Sequence, residues 1–362
     1  MIKKISLSLS LICLFLIPAL AQKIEQPKLE PKPSTEQQDS LIRQGVQSHD
    51  EGNYETAIKK YEEVLKENPD NIEALYEMSI SYAAKKDCKR AMELSYRGVQ
   101  YKSKLLPLFY GTLGNCLDDA GEPQKAIELY RNAIKILPAD HLLHYNLAVT
   151  YTRQGKLEDA RASLKRSAAL NPNHPSSQLL LSSVFKAGGY KIPSLLASAR
   201  FLVLEANTAR SDTALEILQE ALQGDVRKGS KPNEINIFVT MDGKKDEGDF
   251  GGFELFVGLS RAGALGEENK DKSEMQLSVE QFDTMIALLS EEKSKDNLSK
   301  FTWKYYVPYF GEMKKRGYVE PFCYYVFYRS RKEGVLEWMA ANQSKVQAFL
   351  NWSKSYQWPR ID

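Results

Sequence analysis

GNYETAIKKYEEVLKENPDN, Gly52 to Asn71, decides how the rest of this chain is read. After a glycine it runs as a charged amphipathic helical pattern with Ala57, Tyr61 and Val64 on one face, and it closes on the turn residues Asn68-Pro69-Asp70-Asn71. GKLEDARASLKRSAALNPNH, Gly155 to His174, is a looser copy of the same unit. A chain that writes one helix-and-turn unit more than once calls for a search for a fixed period before any other reading.

The period is there. Small residues fall at Gly45, Ser79, Gly114 and Ala148, with Ser182 next in phase, and a second set falls at Ala57, Ala91, Ala126 and Ala160. The steps between successive members are 34, 35 and 34 residues. Pro69, Pro138 and Pro172 keep the same register, and large residues sit at Tyr61, Tyr130 and Leu164. Each unit reads as a pair of antiparallel helices, in which the small residues let two backbones approach at the crossing. Gly52, Gly121, Gly155 and Gly189 end the first helix of a pair in a backbone conformation that most residues resist. The prolines stop the second helix, because proline lacks the next N–H donor.

Period, small residues, glycine and proline together resemble the tetratricopeptide repeat, over 38–71, 72–106, 107–140 and 141–174. A degenerate fifth unit, 175–208, keeps Phe185, Gly189 and SLLASARFLVLEA but has Ser194 where alanine is expected. SDTALEILQEAL, 211–222, reads as a capping helix, which sets the repeat domain at 38–222. The second unit departs from the pattern, with Asp87-Cys88 at its turn, Ser95 at the large-residue place and no terminal proline. The expected fold class is mainly α, a superhelical solenoid of helix-turn-helix repeats followed by a smaller α+β or helical C-terminal domain.

The flanks read differently. MIKKISLSLSLICLFLIPALAQ has Lys3 and Lys4, an apolar run from Ile5 to Ile17 and then Ala19-Leu20-Ala21, the pattern of a signal peptide over 1–21 cleaved before Gln22. The run is shorter than the ~20 residues of a spanning helix and meets Pro18 at once. A periplasmic or secreted protein without a transmembrane helix is expected. The net charge of +2 falls to zero once Lys3 and Lys4 are gone, so no overall basic field draws nucleic acid. QKIEQPKLEPKPSTEQ, 22–37, with three prolines and alternating charge, reads as a flexible extended spacer.

Beyond the repeats, 223–234 reads as a linker and 235–362 as a C-terminal domain that resembles no family. INIFVTM, 235–241, and FELFVGLS, 253–260, are expected to pair as a hairpin across a glycine- and aspartate-rich loop. SVEQFDTMIALLSEE begins with Ser278 and Gln281 in capping-box spacing. A break or kink is expected at Pro308, a new start near Pro321, and one long amphipathic run from Val335 through Leu350. Trp303, Trp338, Trp352 and Trp358 all lie in the last sixty residues, and 12 of the 28 residues from Phe301 to Tyr328 are aromatic. A second core accounts for them, against an aromatic surface for a peptide or sugar.

The loop DGKKDEGDFGG offers Asp242, Asp246, Glu247 and Asp249 to a cation, yet its spacing is not that of a calcium loop and Lys244 and Lys245 weaken the field, so a solvated loop is expected. His141 and His144 lie three apart with His174 a repeat-end later, too loose a set for zinc, and structural roles are expected. No cofactor or metal is expected. No nucleophile elbow, phosphate loop or zinc-protease motif occurs, so the chain shows no catalytic set. Of Cys88, Cys116 and Cys323, an odd number, only the first two lie near enough in the repeat to consider a bridge, and free thiols are favoured.

The resemblance implies that the first helix of each pair lines a concave face that takes a peptide or partner protein. By register its outward positions are Ile42, Val46 and His49, then Tyr76, Ile80 and Ala83. Gly111, Asn115, Asp118 and Asp119 follow, then Tyr145, Val149, Thr152 and Arg153. The co-chaperone carboxylate clamp is not matched, since Gly111 stands at a lysine position and Ser176 and Leu180 replace downstream bases, although Asn115 and Asn146 are in place. The reading is a non-enzymatic adaptor of the bacterial envelope, with Tyr76, Ile80, Asn115, Asp118, Asp119, Tyr145, Val149 and Arg153 as partner-binding residues. The alternatives are a carbohydrate-binding or nutrient-uptake protein that uses the C-terminal aromatics and a hydrolase within the C-terminal domain.

Overall fold

The computed structural model describes residues 26–228, 230, 235–238, 246–264, 266 and 269–361. The expected signal peptide, its cleavage site, the start of the spacer, Asp242 and the end of the INIFVTM run lie outside the described residues. The chain divides into two compact units, one ending at Ile136 and the other starting at Leu137.

The first unit holds three helix pairs: α1 (Glu36–Asp50) with α2 (Tyr54–Glu67), α3 (Ile72–Ala84) with α4 (Cys88–Gly98), and α5 (Leu106–Asp119) with α6 (Pro123–Ile136). The small residue at each crossing has a specific partner. A Cβ added at Gly45 would fall inside the Tyr61 ring, and one at Gly114 inside the Tyr130 ring. Within a pair the turn needs one left-handed residue, supplied by Gly52 (φ 79°) and Gly121 (φ 75°). The second pair has no glycine there, yet Lys86 takes the same conformation at φ 65°. Its departure from the sequence pattern is thus absorbed as local backbone strain, and the fold is unchanged. Asn71 caps α3 by accepting from the Ala74 N–H at 2.9 Å, and Thr35 and Gln38 form a reciprocal cap on α1.

The described part of the spacer is extended and bound to the repeats. The N–H groups of Lys28 and Leu29 both donate to the Gln100 carbonyl at 3.0 Å, and the Lys102 N–H donates to the Leu29 carbonyl at 2.8 Å. Asn71 Nδ2 donates to Ser34 Oγ at 2.7 Å, and Lys32 pairs with Asp70 at 3.1 Å. Pro27, Pro31 and Pro33 hold the segment extended in advance, so little chain entropy opposes docking. Composition alone does not register these backbone acceptors.

The second unit continues with α7 (His141–Arg153) and α8 (Leu157–Leu170), α9 (Pro175–Ala187) and α10 (Lys191–Leu204), and α11 (Ala209–Gln223), which packs against α10 and α9. A two-stranded antiparallel hairpin follows, β1 (Asp225–Lys228) with β2 (Ile235–Phe238), Val226 opposite Ile237. Then come α12 (Gly251–Ala264), α13 (Glu274–Glu291), α14 (Lys295–Ser299), α15 (Phe301–Lys315), α16 (Val319–Val326), α17 (Val335–Ala341) and α18 (Gln343–Ser355).

Several expectations need correction here. FELFVGLS is helix, in α12, and the partner of β2 is DVRK from the stretch expected to be linker. A short apolar run satisfies helix and strand periods alike, and the helical residues RAGA that continue it decide the matter. α13 starts one turn early, capped by Ser273 and Gln276, so Ser278 lies inside the helix and donates to the Glu274 carbonyl at 2.8 Å. α15 runs through Pro308 without a break. The run from Val335 to Leu350 is interrupted at Asn342, the junction of α17 and α18. α16 does begin near Pro321.

The aromatic residues form a second core. Trp303, Tyr305, Tyr306, Tyr309, Phe310 and Phe322 are all buried. This core is fused to the repeats of the same unit, since the Tyr305 hydroxyl donates to the Ala168 carbonyl at 2.7 Å and that of Tyr306 to Gln178 Oε1 at 2.5 Å. Helices α12, α15 and α16 pack against α10.

Candidate functional site

Each predicted partner-binding residue sits on a first helix, and each unit carries its own set. In the first unit α3 neighbours both α1 and α5. Tyr76 and Ile80, one turn apart on α3, are half-buried; Asn115 and Asp119 on α5 are exposed and Asp118 is half-buried. In the second unit Tyr145 and Val149 on α7 are half-buried and Arg153 is exposed.

Local packing orients these side chains. Tyr76 meets the Phe109 ring edge-on at 5.5 Å, so part of its surface belongs to the seam between the second and third pairs and the rest is presented outward. The Tyr130 hydroxyl passes beneath Gly114 and donates to the Gly111 carbonyl at 3.2 Å and to Asn115 Oδ1 at 3.3 Å, which holds Asn115 in place. Asp119 lies 3.9 Å from Lys86. Tyr145 packs edge-on against His174 at 5.1 Å.

The structure brings His141 and His174 together, with ring centroids 5.0 Å apart, and both bond to neutral groups. His174 Nδ1 is 2.7 Å from Ser177 Oγ, and Asn171 Nδ2 is 3.0 Å from His141 Nε2. Burial, then His141 and Arg210, push His174 down to about 4, so it is neutral near pH 7. Burial also lowers His141 and His144. Among the described residues no group of three or more His, Cys, Asp or Glu is placed to hold a metal ion.

In the loop after the hairpin Asp246 and Asp249 are exposed, whereas Glu247 is not solvated as expected. Glu247 is only 1% exposed and meets Lys165 Nζ at 2.6 Å and Arg161 Nε at 3.4 Å, both from α8. Asp246 pairs with Arg161 and accepts from the Tyr190 hydroxyl at 2.6 Å. Although burial opposes it, that hydroxyl and the guanidinium hold Asp246 below its ordinary range. These acids are matched by bases of the protein itself, which leaves the loop a structural role. Their partners lie some eighty residues away in sequence, beyond the reach of any local signal.

Cys88, Cys116 and Cys323 are free thiols. Burial, and then the neighbouring Cys88, push Cys116 up, away from a reactive thiolate. In the C-terminal part of the second unit a cleft of about 710 Å³ is lined by Trp303, Pro308, Trp352 and Tyr356, among others. Trp303 is buried against Phe250 at 5.1 Å, and Trp352 lays a face on Tyr309, so these rings serve the core before any sugar.

One group escaped the sequence reading. Asp50 at the end of α1 and Glu73 and Glu77 on α3 gather on the first-helix face of the first unit, and among the described residues none of the three has an ion-pair partner. The one-turn spacing of Glu73 and Glu77 is legible in sequence, but Asp50 joins them only through the packing of α1 on α3.

Residues 48–94 and 119–184 match the family described as Tetratricopeptide repeat. The general transcriptional corepressor trfA of Dictyostelium discoideum is 32% identical over 111 residues, which is 30% of this chain and 8% of that protein. A TPR repeat-containing protein of Methanocaldococcus jannaschii is 28% identical over 105 residues, 29% of this chain and 18% of that protein. The chain therefore spans less than a fifth of the length of either curated relative. Among solved structures, a thermophilic TPR protein of Thermus thermophilus aligns at TM-score 0.43 and 23% identity, covering 51% of this chain and 98% of that one.

Proposed function

On the premise that this chain is a tetratricopeptide-repeat protein, we propose that it is a non-enzymatic scaffold of the bacterial envelope that binds a partner protein through its first helices. The observation that carries the reading is the contrast between helices within a pair. The second helices are packed through Ala57, Tyr61, Ala126 and Tyr130, all fully buried, whereas the first helices keep Tyr76, Ile80, Tyr145 and Val149 half-exposed. Half-buried aromatic and aliphatic side chains on a rigid helix are suited to anchoring an incoming segment, because they are ordered before binding. In the second unit the C-terminal helices pack against α10 and α11 and bond to Gln178 of α9, while α7 makes its main contacts with α8. The envelope location rests on the leader-like start of the sequence.

The test is affinity capture from an envelope extract with the purified chain and with a variant carrying Tyr76→Ala and Tyr145→Ala. Partners lost from the variant, with its melting temperature unchanged, support the reading. Identical partner sets overturn it.

A further inference from the structure

Building on the scaffold reading above, we propose that the first-helix face of the first unit recognises a lysine- or arginine-bearing segment of its partner, with Asp50, Glu73 and Glu77 receiving the cation. Glu77 is half-buried and has no base beside it among the described residues, while Glu73 precedes it by one helical turn and Asp50 ends the neighbouring helix. Burial, followed by the charges of Glu73 and Asp50, pushes the Glu77 carboxyl above its ordinary range, a sign that the three carboxylates feel one another. The nearby bases are turned to other acids, Lys85 to Glu55 at 2.8 Å and Lys86 to Asp119 at 3.9 Å. Arg43 stands exposed two turns away on α1.

A second observation marks the same seam. Tyr61 passes beneath Gly45 as Tyr130 passes beneath Gly114, yet Tyr130 finds Asn115 on the far side while the corresponding residue in the first pair is Val46. The Tyr61 hydroxyl is consequently buried without a hydrogen-bond partner, and the carboxylates of Glu77 and Asp50 act on it. Ser81 Oγ, which donates to the Glu77 carbonyl at 2.9 Å and lies 2.8 Å from His49 Nδ1, is near the Tyr61 hydroxyl but makes no contact of hydrogen-bond geometry with it. The unsatisfied hydroxyl lies at the same seam as the acids, which makes that seam a place of uncompensated polarity.

The shape of the face selects the cation. The three acids are not gathered closely enough to ligate a metal. Beside them Val46, Tyr76 and Ile80 offer half-exposed apolar surface. A long basic side chain suits both features, laying its methylene stem on the apolar surface and its charge against the carboxylates.

The experiment measures fluorescence anisotropy of labelled peptides of alternating leucine with lysine, with glutamate or with serine, titrated with the full chain. The lysine peptide is expected to bind about tenfold tighter than the serine peptide, to lose that margin in a Glu73→Gln, Glu77→Gln variant, and to weaken as salt rises. Melting curves of the Gln variant are expected to match or exceed those of the parent, since like charges are removed. Equal binding of lysine and serine peptides, no saturable binding of the lysine peptide, or indifference to the Gln substitutions overturns the cationic assignment and leaves the first-helix reading standing on its own test. Binding of the lysine peptide that survives Tyr76→Ala but not Glu77→Gln supports the acidic site and counts against the tyrosine anchor.

Discussion

Arg200 lies with its guanidinium carbon 4.9 Å from the ring centre of Trp358, in the interior of the second unit. Its side chain is fully buried, yet its partners are neutral: Asn173 Oδ1 at 2.7 Å, Ser353 Oγ at 3.0 Å and the Tyr309 hydroxyl at 3.4 Å. Among the described residues no carboxylate reaches it. The aromatic faces of Trp358 and Tyr309 stand in for one, stabilising the cation through their negative quadrupoles.

This arrangement ties the C-terminal end of the chain to its fifth repeat and predicts a stability hierarchy. Arg200→Ala should destabilise the second unit by ~3 kcal/mol, because it opens a cavity and strands the oxygens of Asn173 and Ser353. Arg200→Met, which keeps much of the volume and needs no hydration, should cost less than the alanine change by about 1 kcal/mol. Trp358→Ala should cost roughly 2 kcal/mol, less than a fully buried tryptophan, because its ring is only half-buried. Urea unfolding followed by tryptophan fluorescence reads all three, with the alanine and methionine changes at Arg200 giving the decisive ordering.

The second helix pair offers a stabilising substitution. Lys86 is at φ 65°, where a Cβ costs ~1 kcal/mol, and its contact with Asp119 is long and exposed. Lys86→Gly should therefore raise the unfolding free energy by about 1 kcal/mol, despite the greater freedom glycine gives the unfolded chain. The reverse change in the neighbouring pair, Gly121→Lys, should lower it by a similar amount. A fall in urea midpoint for Lys86→Gly would show that the turn does not hold this conformation in solution.

The repeat was legible because its packing is local: Gly45 must be small for Tyr61 to pass beneath it, and both fall within one period. The hairpin was not, because DVRK carries a single apolar residue and FELFVGLS fits two periods. SEMQ and SVEQ have the same capping spacing, and only packing selects the first. At the candidate site, Tyr76 and Tyr145 were readable from register, whereas the meeting of Asp50 with Glu77 and of Glu247 with Lys165 depends on contacts between helices. Residue type announces what a side chain can do; its partner comes from the fold.

The paired histidines predict sensitivity to acid. His174 has a folded-state value of about 4 against an ordinary 6.5, so the unfolded chain takes up a proton more readily over that interval. Stability that is fully present above pH 6.5 should decline as pH falls toward 4, where the loss is complete. The buried Ser177 and Ser167 hydroxyls and the adjoining His141 cannot compensate a second charge. Urea titrations at about pH 7.5 and about pH 5 should show the decline, and His174→Gln should flatten it. An unchanged slope in that variant would assign the acid sensitivity to other groups.

The docked spacer makes a prediction that separates it from a tether. If Lys28 and Leu29 donate to Gln100 and Lys102 donates to Leu29, these three amides are protected only while the segment stays on the repeats. Hydrogen exchange at Leu29 and Lys102 should be slowed by at least ~10-fold relative to an unstructured chain, since exchange then requires a local opening. Asn71→Ala should abolish that protection and also lower the stability of the first unit by about 1 kcal/mol, because Asn71 both caps α3 and holds Ser34. Ser34→Ala removes the second contact alone and should speed exchange while leaving the urea midpoint within error. Random-coil exchange at Leu29 in the parent chain would return 26–34 to the role of a free linker, with the repeats beginning only at the Thr35 cap.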